Sequence, residues 1–481
     1  MHYPLSIGGR QRSVDRRIDV ENPATGEIVG SVGSGNRKDA VQAIEAARDV
    51  ARTWQQSDPH ERERALHAVA DRIENDVEEI ARLLSRETGK CLGTAEDEIR
   101  ETVSQFRFYA GVTDKIRGST IPTPTDRFNY TRRAPYGVTA HIVPWNYPVL
   151  IGSRSIATAL ATGNTVVTKP PGSAPLSTMW YGEYLVDEFP DGVVNIVPGP
   201  GNEVGAELTE NGDVDAISFT GSNRIGQRVI ESAAKNIVPA DVELGGKSPA
   251  IVLPDADPTE AGVGIATGIF SNTGQNCVAT SRLIVHEEIK QAVVEEIVRQ
   301  AESIELGPGT DPSTGMGPVI SASAQKDMQA YVEMAKESGA TLLTGGTIPN
   351  DPDLSDGHFF QPTVFDDVEP DDRIANEEIF GPILSVISVS TVEDAITVAN
   401  DSRYALAASL WTERLEATTI ADRLDHGVVA VNSFPVTMPQ SPFGGNKESG
   451  IGREGGLEGV RAFTTVDSVI VDHSEMGTGY R

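Results

Sequence analysis

The stretch Val138–Gly172, VTAHIVPWNYPVLIGSRSIATALATGNTVVTKPPG, decides the fold. It opens on a short apolar run, VTAHIVPWN, continues through SRSIATALAT, whose small and apolar residues suit a helix, and returns to a second apolar run, NTVVTKPPG. A strand, a helix and a strand in this order make a parallel pair, because a crossover is what carries a chain back to the same end of a sheet. Three more runs repeat the pattern, GVVNIVPGPG, DAISFTGS and PADVELGGK, with helical segments such as STMWYGEYLVDEF between them. Alternating β and α predicts an α/β fold, a parallel sheet with helices on both faces. Ligands bind such sheets beyond the carboxyl ends of the strands. There stand Asn146, Lys169, Gly199, Ser222 and Glu243.

Towards the N-terminus, residues 57–90 (SDPHERERALHAVADRIENDVEEIARLLSRETGK) predict one long amphipathic helix. Asp58 caps it, Pro59 opens it, Gly89 stops it, and Leu66, Val69, Ile73, Val77, Ile80 and Leu84 recur every three or four residues. After a further helix ending near Tyr109, RGSTIPTPTDRFNYTRRAPYG is extended and broken by prolines, an edge strand pair rather than core. A second α/β region runs from about Gly245 to Phe443 and includes SRLIVHEE and HGVVAVN.

The 481 residues exceed one ordinary core and call for two or three domains. No apolar run approaches the roughly 18 residues of a membrane helix, and MHYPLSIGGRQRS lacks the apolar stretch of a signal peptide, so the expected location is the cytoplasm. Two cysteines this far apart give no disulfide framework. The 70 acids against 40 bases leave a net charge of −30, which disfavours nucleic acid and anionic membranes as partners. The acids are scattered, as on a salt-adapted, halophilic surface that stays soluble where the Debye length shrinks to about 3 Å at 1 M salt. An ordinary acidic cytosolic surface is the plainer alternative.

Several signatures are excluded. GGKS (Gly245–Ser248) would complete a phosphate loop only with glycine at Asp241, and HEEIK from His286 lacks the second histidine of a zinc helix. GPGNEVG has one residue too many for the dinucleotide fingerprint, and no G-x-S-x-G elbow occurs. No metal is expected.

An ordered set of motifs remains: PWNYP (Pro144–Pro148), KPPGSAP (Lys169–Pro175), FTGSNRIG (Phe219–Gly226), VELGGKSP (Val242–Pro249), GQNC (Gly274–Cys277), EEIFGP (Glu377–Pro382) and SPFGGNKESGIGRE (Ser441–Glu454). Singly, Asn146 can close a turn, Glu243 can be a paired carboxylate and Cys277, in its polar glycine-containing loop, can be inert. Together the motifs resemble the aldehyde dehydrogenase superfamily, over essentially the whole chain. The resemblance implies a Rossmann-like cofactor domain, a catalytic α/β domain and a small β arm. It implies that the Cys277 thiolate adds to an aldehyde carbon, that the Asn146 amide and the Cys277 N–H stabilise the alkoxide, that hydride leaves for the nicotinamide, and that Glu243 activates water to hydrolyse the thioester.

For the cofactor, NADP or NAD, the resemblance assigns Lys169 to the adenosine ribose, Glu378 and Phe380 to the nicotinamide ribose and Ser222 to the pyrophosphate, with Trp145 and Gly221 beside them. Many NAD-preferring members carry a Glu three residues after the lysine; Gly172 stands here, which favours tolerance of NADP, unless it only turns the chain before Pro175. Arg154 matches the residue that grips the substrate carboxylate in succinate semialdehyde dehydrogenases. The alternative is a salt bridge to an acid of the protein. A second substrate arginine of some of those enzymes is Ser271 here. Tyr147, Ile151, Thr437 and Phe443 match other tunnel positions.

The expected substrate is therefore a small carboxylate-bearing aldehyde, 2-oxoglutarate semialdehyde or succinate semialdehyde. Rival readings are a dehydrogenase of neutral or hydrophobic aldehydes, a cofactor-independent cysteine hydrolase or acyl transferase, and a non-catalytic protein of this fold. Cys91, in GKCLG, reads as structural. The expected domains are 1–115 with 134–244 for the cofactor, 245–444 for catalysis, and 116–133 with 445–481 as an arm that pairs across a homodimer or homotetramer.

Overall fold

The computed structural model of the chain describes residues 1–472. An eight-stranded sheet has five parallel strands at its centre, in the spatial order Ala240–Glu243, Ala216–Thr220, Val138–Ile142, Thr165–Lys169 and Val194–Ile196. These are the five runs of the β–α–β pattern. The chain winds from Val138–Ile142 outwards in one direction and then returns to build the other half. The switch point falls between Val138–Ile142 and Ala216–Thr220, where a doubly wound sheet opens a crevice at its carboxyl ends.

A second sheet of seven strands contains Arg282–His286, flanked by Pro249–Val252 and Ile383–Val389 in parallel register. A third, antiparallel and three-stranded, pairs Arg127–Pro135 with Thr464–Asp472 on one side and Thr120–Ile121 on the other. Helix Pro148–Thr162 joins the first two central strands and is buried at every residue. No helix among the described residues is long and apolar enough to cross a membrane.

Two expectations need correction. The long helix predicted over residues 57–90 is two helices, Pro59–Asn75 and Val77–Thr88. Asp76 leaves helical geometry (φ −110°, ψ 21°) and its carboxylate takes the hydroxyl of Tyr184 from another helix. The apolar spacing runs on unbroken from Ile73 to Val77, so the pattern hides the break.

The arm is also smaller than expected. Strand Arg127–Pro135 crosses the boundary drawn between 133 and 134. Gly450–Ile451, assigned to the arm, instead lies antiparallel on Ala240–Glu243, with Glu243 opposite Gly450. Helix Gly456–Ala462 packs on helix Pro148–Thr162. Residues 473–481 of the expected arm lie outside the described residues.

Candidate active site

Cys277 is carried by a tight turn. Asn272, Thr273 and Gly274 have φ of 51°, 58° and 68°, three successive left-handed residues of which only the last is glycine. Gly274 is required there, because a Cβ would fall 2.2 Å from the carbonyl oxygen of Gly381. Such backbone strain persists only where the surroundings hold it. The turn leaves Cys277 half-buried against Val278, Leu406, Ala407 and Phe443. Burial pushes its thiol up to about 12; Arg154 opposes this, and Glu378 and Glu243 reinforce it.

Asn146 follows the carboxyl end of strand Val138–Ile142. Its side-chain amide donates to the carbonyl of Gln275 at 3.2 Å, which draws it to the cysteine loop. Its own carbonyl accepts from Lys90 Nζ at 2.9 Å and from Asn272 Nδ2 at 3.4 Å. Lys90 is fully buried, bonded to Glu98, and stands 3.7 Å over the Tyr147 ring. Glu98 in turn accepts from the N–H groups of Val149 and Leu150, at the start of helix Pro148–Thr162. Neither Lys90 nor Glu98 belongs to the ordered motifs singled out above. Glu98 had a signal: it sits among Ala95, Ile99 and Thr102 on the inward face of its helix, where a lone charge needs a partner.

At the switch point lies a cavity of about 860 Å³, within the ~300–1,000 Å³ usual for small-molecule sites. Cys277, Asn146 and Trp145 line it together with Glu378 and Phe380. Trp145 meets Phe380 edge to face at 5.4 Å, and Phe380 has a φ of 58°. Glu378 accepts from the N–H of Gly246 at 3.0 Å and is otherwise raised by burial to about 7. Lys169, Gly172, Gly221 and Ser222 line the other part. The Lys169 ammonium donates to Pro170 O at 3.0 Å, and burial lowers it to about 8. Ser222 precedes helix Asn223–Asn236. At Gly172 a Cβ would meet nothing within 4 Å, and φ is not left-handed, so the turn does not demand glycine.

Glu243 ends its strand, buried, with neither carboxyl oxygen hydrogen-bonded. Burial raises it well above the ordinary carboxylate range; Asp241 and Glu454 add to the rise, while Arg154 and Arg453 oppose it. It does not line the cavity, and neither do Tyr147, Phe443 and Arg154; Ile151 does. Thr437 is half-buried in a loop beside exposed Val436 and Met438.

Arg154 differs most from expectation. Its guanidinium lies 4.4 Å over the Phe443 ring, and both Nε and Nη2 bond one oxygen of Glu454, at 2.7 and 2.6 Å. The cation expected to await a substrate carboxylate already has a protein carboxylate, because a guanidinium in a fully buried helix needs its counter-ion in place. Cys91 precedes helix Leu92–Ala110, half-buried, its thiol raised by burial. Among the described residues no group of three or more His, Cys, Asp or Glu could hold a metal ion.

The profile of the aldehyde dehydrogenase family matches residues 10–469. A putative aldehyde dehydrogenase, DhaS, from Bacillus subtilis (strain 168) is 42% identical over 461 residues, covering 95% of this chain and 92% of its own. An alpha-ketoglutarate semialdehyde dehydrogenase from Haloferax volcanii is 39% identical over 461 residues, covering 94% and 95%. Among solved structures, an NAD+ complex of an aldehyde dehydrogenase from Bacillus cereus superposes with a TM-score of 0.96 at 39% identity, covering 98% of this chain and 97% of that one. With the matched profile spanning nearly the whole length, this chain belongs to the aldehyde dehydrogenase family.

Proposed function

We propose that the protein oxidises an aldehyde to its carboxylic acid with NAD or NADP, through an adduct on Cys277. The observation that carries this is the meeting of Cys277 and Asn146 with Lys169, Glu378 and Phe380 in one cleft at the switch point. The Cys277 thiolate adds to the carbonyl carbon, and the Asn146 amide and Cys277 N–H donate to the developing alkoxide. Each such donor is typically worth about 10²–10³ in rate. Glu243, buried with free oxygens, then takes a proton from the water that hydrolyses the thioester.

The nicotinamide, when bound, supplies the hydride acceptor. Lys169 and Glu378 line the cleft and suit ribose hydroxyls, and Ser222 with the helix it opens suits the pyrophosphate. Gly172 leaves open space without a carboxylate where a 2′-phosphate would be repelled, which favours NADP use. Arg37 on the same cleft is ion-paired with Glu207 and Glu210, so NAD stays a competent partner.

For the substrate we favour an ω-oxo acid, 2-oxoglutarate semialdehyde or succinate semialdehyde. The Haloferax relative named for alpha-ketoglutarate semialdehyde supports it. Arg154, which lies over the Phe443 ring and holds Glu454, is the cation we assign to the substrate carboxylate. Neutral aldehydes are the second reading, favoured by Glu454, which already balances Arg154. We also assign the cofactor to the first sheet, catalysis to the second, and pairing between copies to the outer strand Thr464–Asp472, which exposes Val466 and Ile470.

The test is formation of reduced coenzyme with each semialdehyde and a neutral aldehyde of equal length, in wild type, Cys277→Ala and Arg154→Ala. Loss of turnover in Cys277→Ala is expected, and ester hydrolysis with no aldehyde-dependent reduced coenzyme would point to a hydrolase. An Arg154→Ala variant that keeps its full preference for the acids removes the substrate reading. Light scattering reports the oligomer, expected as a dimer or tetramer.

A further inference from the structure

Asp241 stands two residues before Glu243 on one strand, so both side chains lie on the same face of the sheet. Across the neighbouring strand Asp241 is opposite Ser218, and Glu243 is opposite Thr220. Asp241 is 8% exposed and Glu243 2%, and none of their four carboxyl oxygens has a hydrogen-bond partner. A buried carboxyl left without bonds is costly and calls for a reason. The backbone makes room for both. A Cβ at Gly452 (φ +104°) would fall 2.3 Å from Asp241 Oδ1, and one at Gly444 (φ +157°) 2.5 Å from Glu243 Oε1.

Several charged or titratable groups face the pair. Arg154 comes from helix Pro148–Thr162, Arg453 and Glu454 from the chain after Gly450–Ile451, Cys277 from its loop and Tyr109 from helix Leu92–Ala110. Both arginines are engaged elsewhere. Arg154 holds Glu454, whose other oxygen accepts from Ser218 Oγ at 3.3 Å, and Arg453 donates to the carbonyls of Gly445 and Gly452. Three acids thus share the space with two guanidiniums, and the unpartnered ones are Asp241 and Glu243.

We infer that Asp241 is a positioning residue that strengthens the base: the two like carboxyls compete for one proton, and the charge on Asp241 draws a proton onto Glu243. The inference rests on the reading of Glu243 as the base. In the step concerned, one O–H bond of water breaks and its proton goes to a Glu243 oxygen. The hydroxide oxygen bonds to the thioester carbon, and the Cys277 sulfur leaves with the C–S electron pair as thiolate. Asp241 acts on this step through Glu243 alone. Coupled carboxyls of this kind titrate as a pair.

The experiment follows reduced coenzyme after rapid mixing of enzyme, NAD or NADP and aldehyde between pH 5 and 9.5. The burst reports hydride loss, and the later steady rate reports thioester hydrolysis where that step limits. In Asp241→Asn the acid limb of the steady rate is expected to move down by about one pH unit or more, with the burst intact; Asp241→Glu restores the limb. An unmoved limb in Asp241→Asn overturns the inference. Glu243→Gln separates the two readings: if it hydrolyses the thioester normally, the base assignment itself fails. If Asp241→Asn does not fold, Asp241→Ser takes its place with the same downward shift of the acid limb expected, and an unmoved limb there overturns the inference.

Discussion

Arg154 Nη2 lies 2.6 Å from Glu454 Oε2, with the two side chains 4% and 3% exposed. Their positions are 300 residues apart, and the contact joins the helix behind Asn146 to the segment that follows Phe443. Breaking a buried pair strands a charge, at roughly 3–5 kcal/mol. Glu454→Gln is therefore expected to lower unfolding stability by about that amount, measured in denaturant, and Arg154→Met combined with Glu454→Gln to recover most of it. Additive losses in the double variant would show that the two act separately.

With Asn146 as the proposed oxyanion donor, Lys90 would act through Asn146 O rather than through any contact with substrate. Lys90→Met leaves Glu98 buried without its cation and removes one of the two donors to Asn146 O, leaving Asn272 Nδ2. The expected result is a drop in kcat of about tenfold or more with a smaller change in KM, together with destabilisation of roughly 3 kcal/mol. Kinetics and chemical unfolding on the same preparation check it.

Glu378 is raised by burial to about 7. In its proposed role the carboxylate would accept hydrogen bonds from ribose; once protonated it loses part of that capacity. Because the affected form is the one present above about 7, coenzyme should bind with constant affinity at pH 8–9 and weaken as pH falls below 7, by up to about tenfold per unit. In Glu378→Gln the affinity is expected to be lower and flat with pH. Titration calorimetry across this range reads both.

Gly172→Glu places a carboxylate in open space, so the fold should not change. Repulsion of a 2′-phosphate predicts that kcat/KM for NADP falls at least about tenfold while that for NAD holds or rises. Equal losses for both coenzymes would mean that the new side chain blocks the cleft.

The net charge of −30 makes the compact state self-repelling in dilute buffer. Salt screens that repulsion, so the unfolding temperature is expected to rise between about 0.1 and 1 M KCl, over which the Debye length falls from about 10 to 3 Å. A temperature that stays level across the series would argue for an ordinary acidic surface.

The β–α–β alternation from Val138 onwards could be read from the chain because strand and helix each impress a short period on their own residues, and five apolar runs became five adjacent parallel strands. Asn146, Lys169, Ser222 and Glu243 could be singled out for the same reason: strand ends are local features, and the winding rule says what lies beyond them. Cys277 was marked by a polar turn ahead of a strand. Contacts between distant segments have no such local mark. The break at Asp76 depends on Tyr184, the hold on Asn146 depends on Lys90 and Glu98, and the return of Gly450–Ile451 to Glu243 depends on a sheet edge left open by other strands. The role of Arg154 turned on which carboxylate the fold would bring to it. Sequence by itself determined the layers and the ends at which chemistry gathers; tertiary structure decided which buried charged groups find a partner and which, like Asp241 and Glu243, do not, since a charge in a low-dielectric interior is settled by whatever lies within a few ångströms.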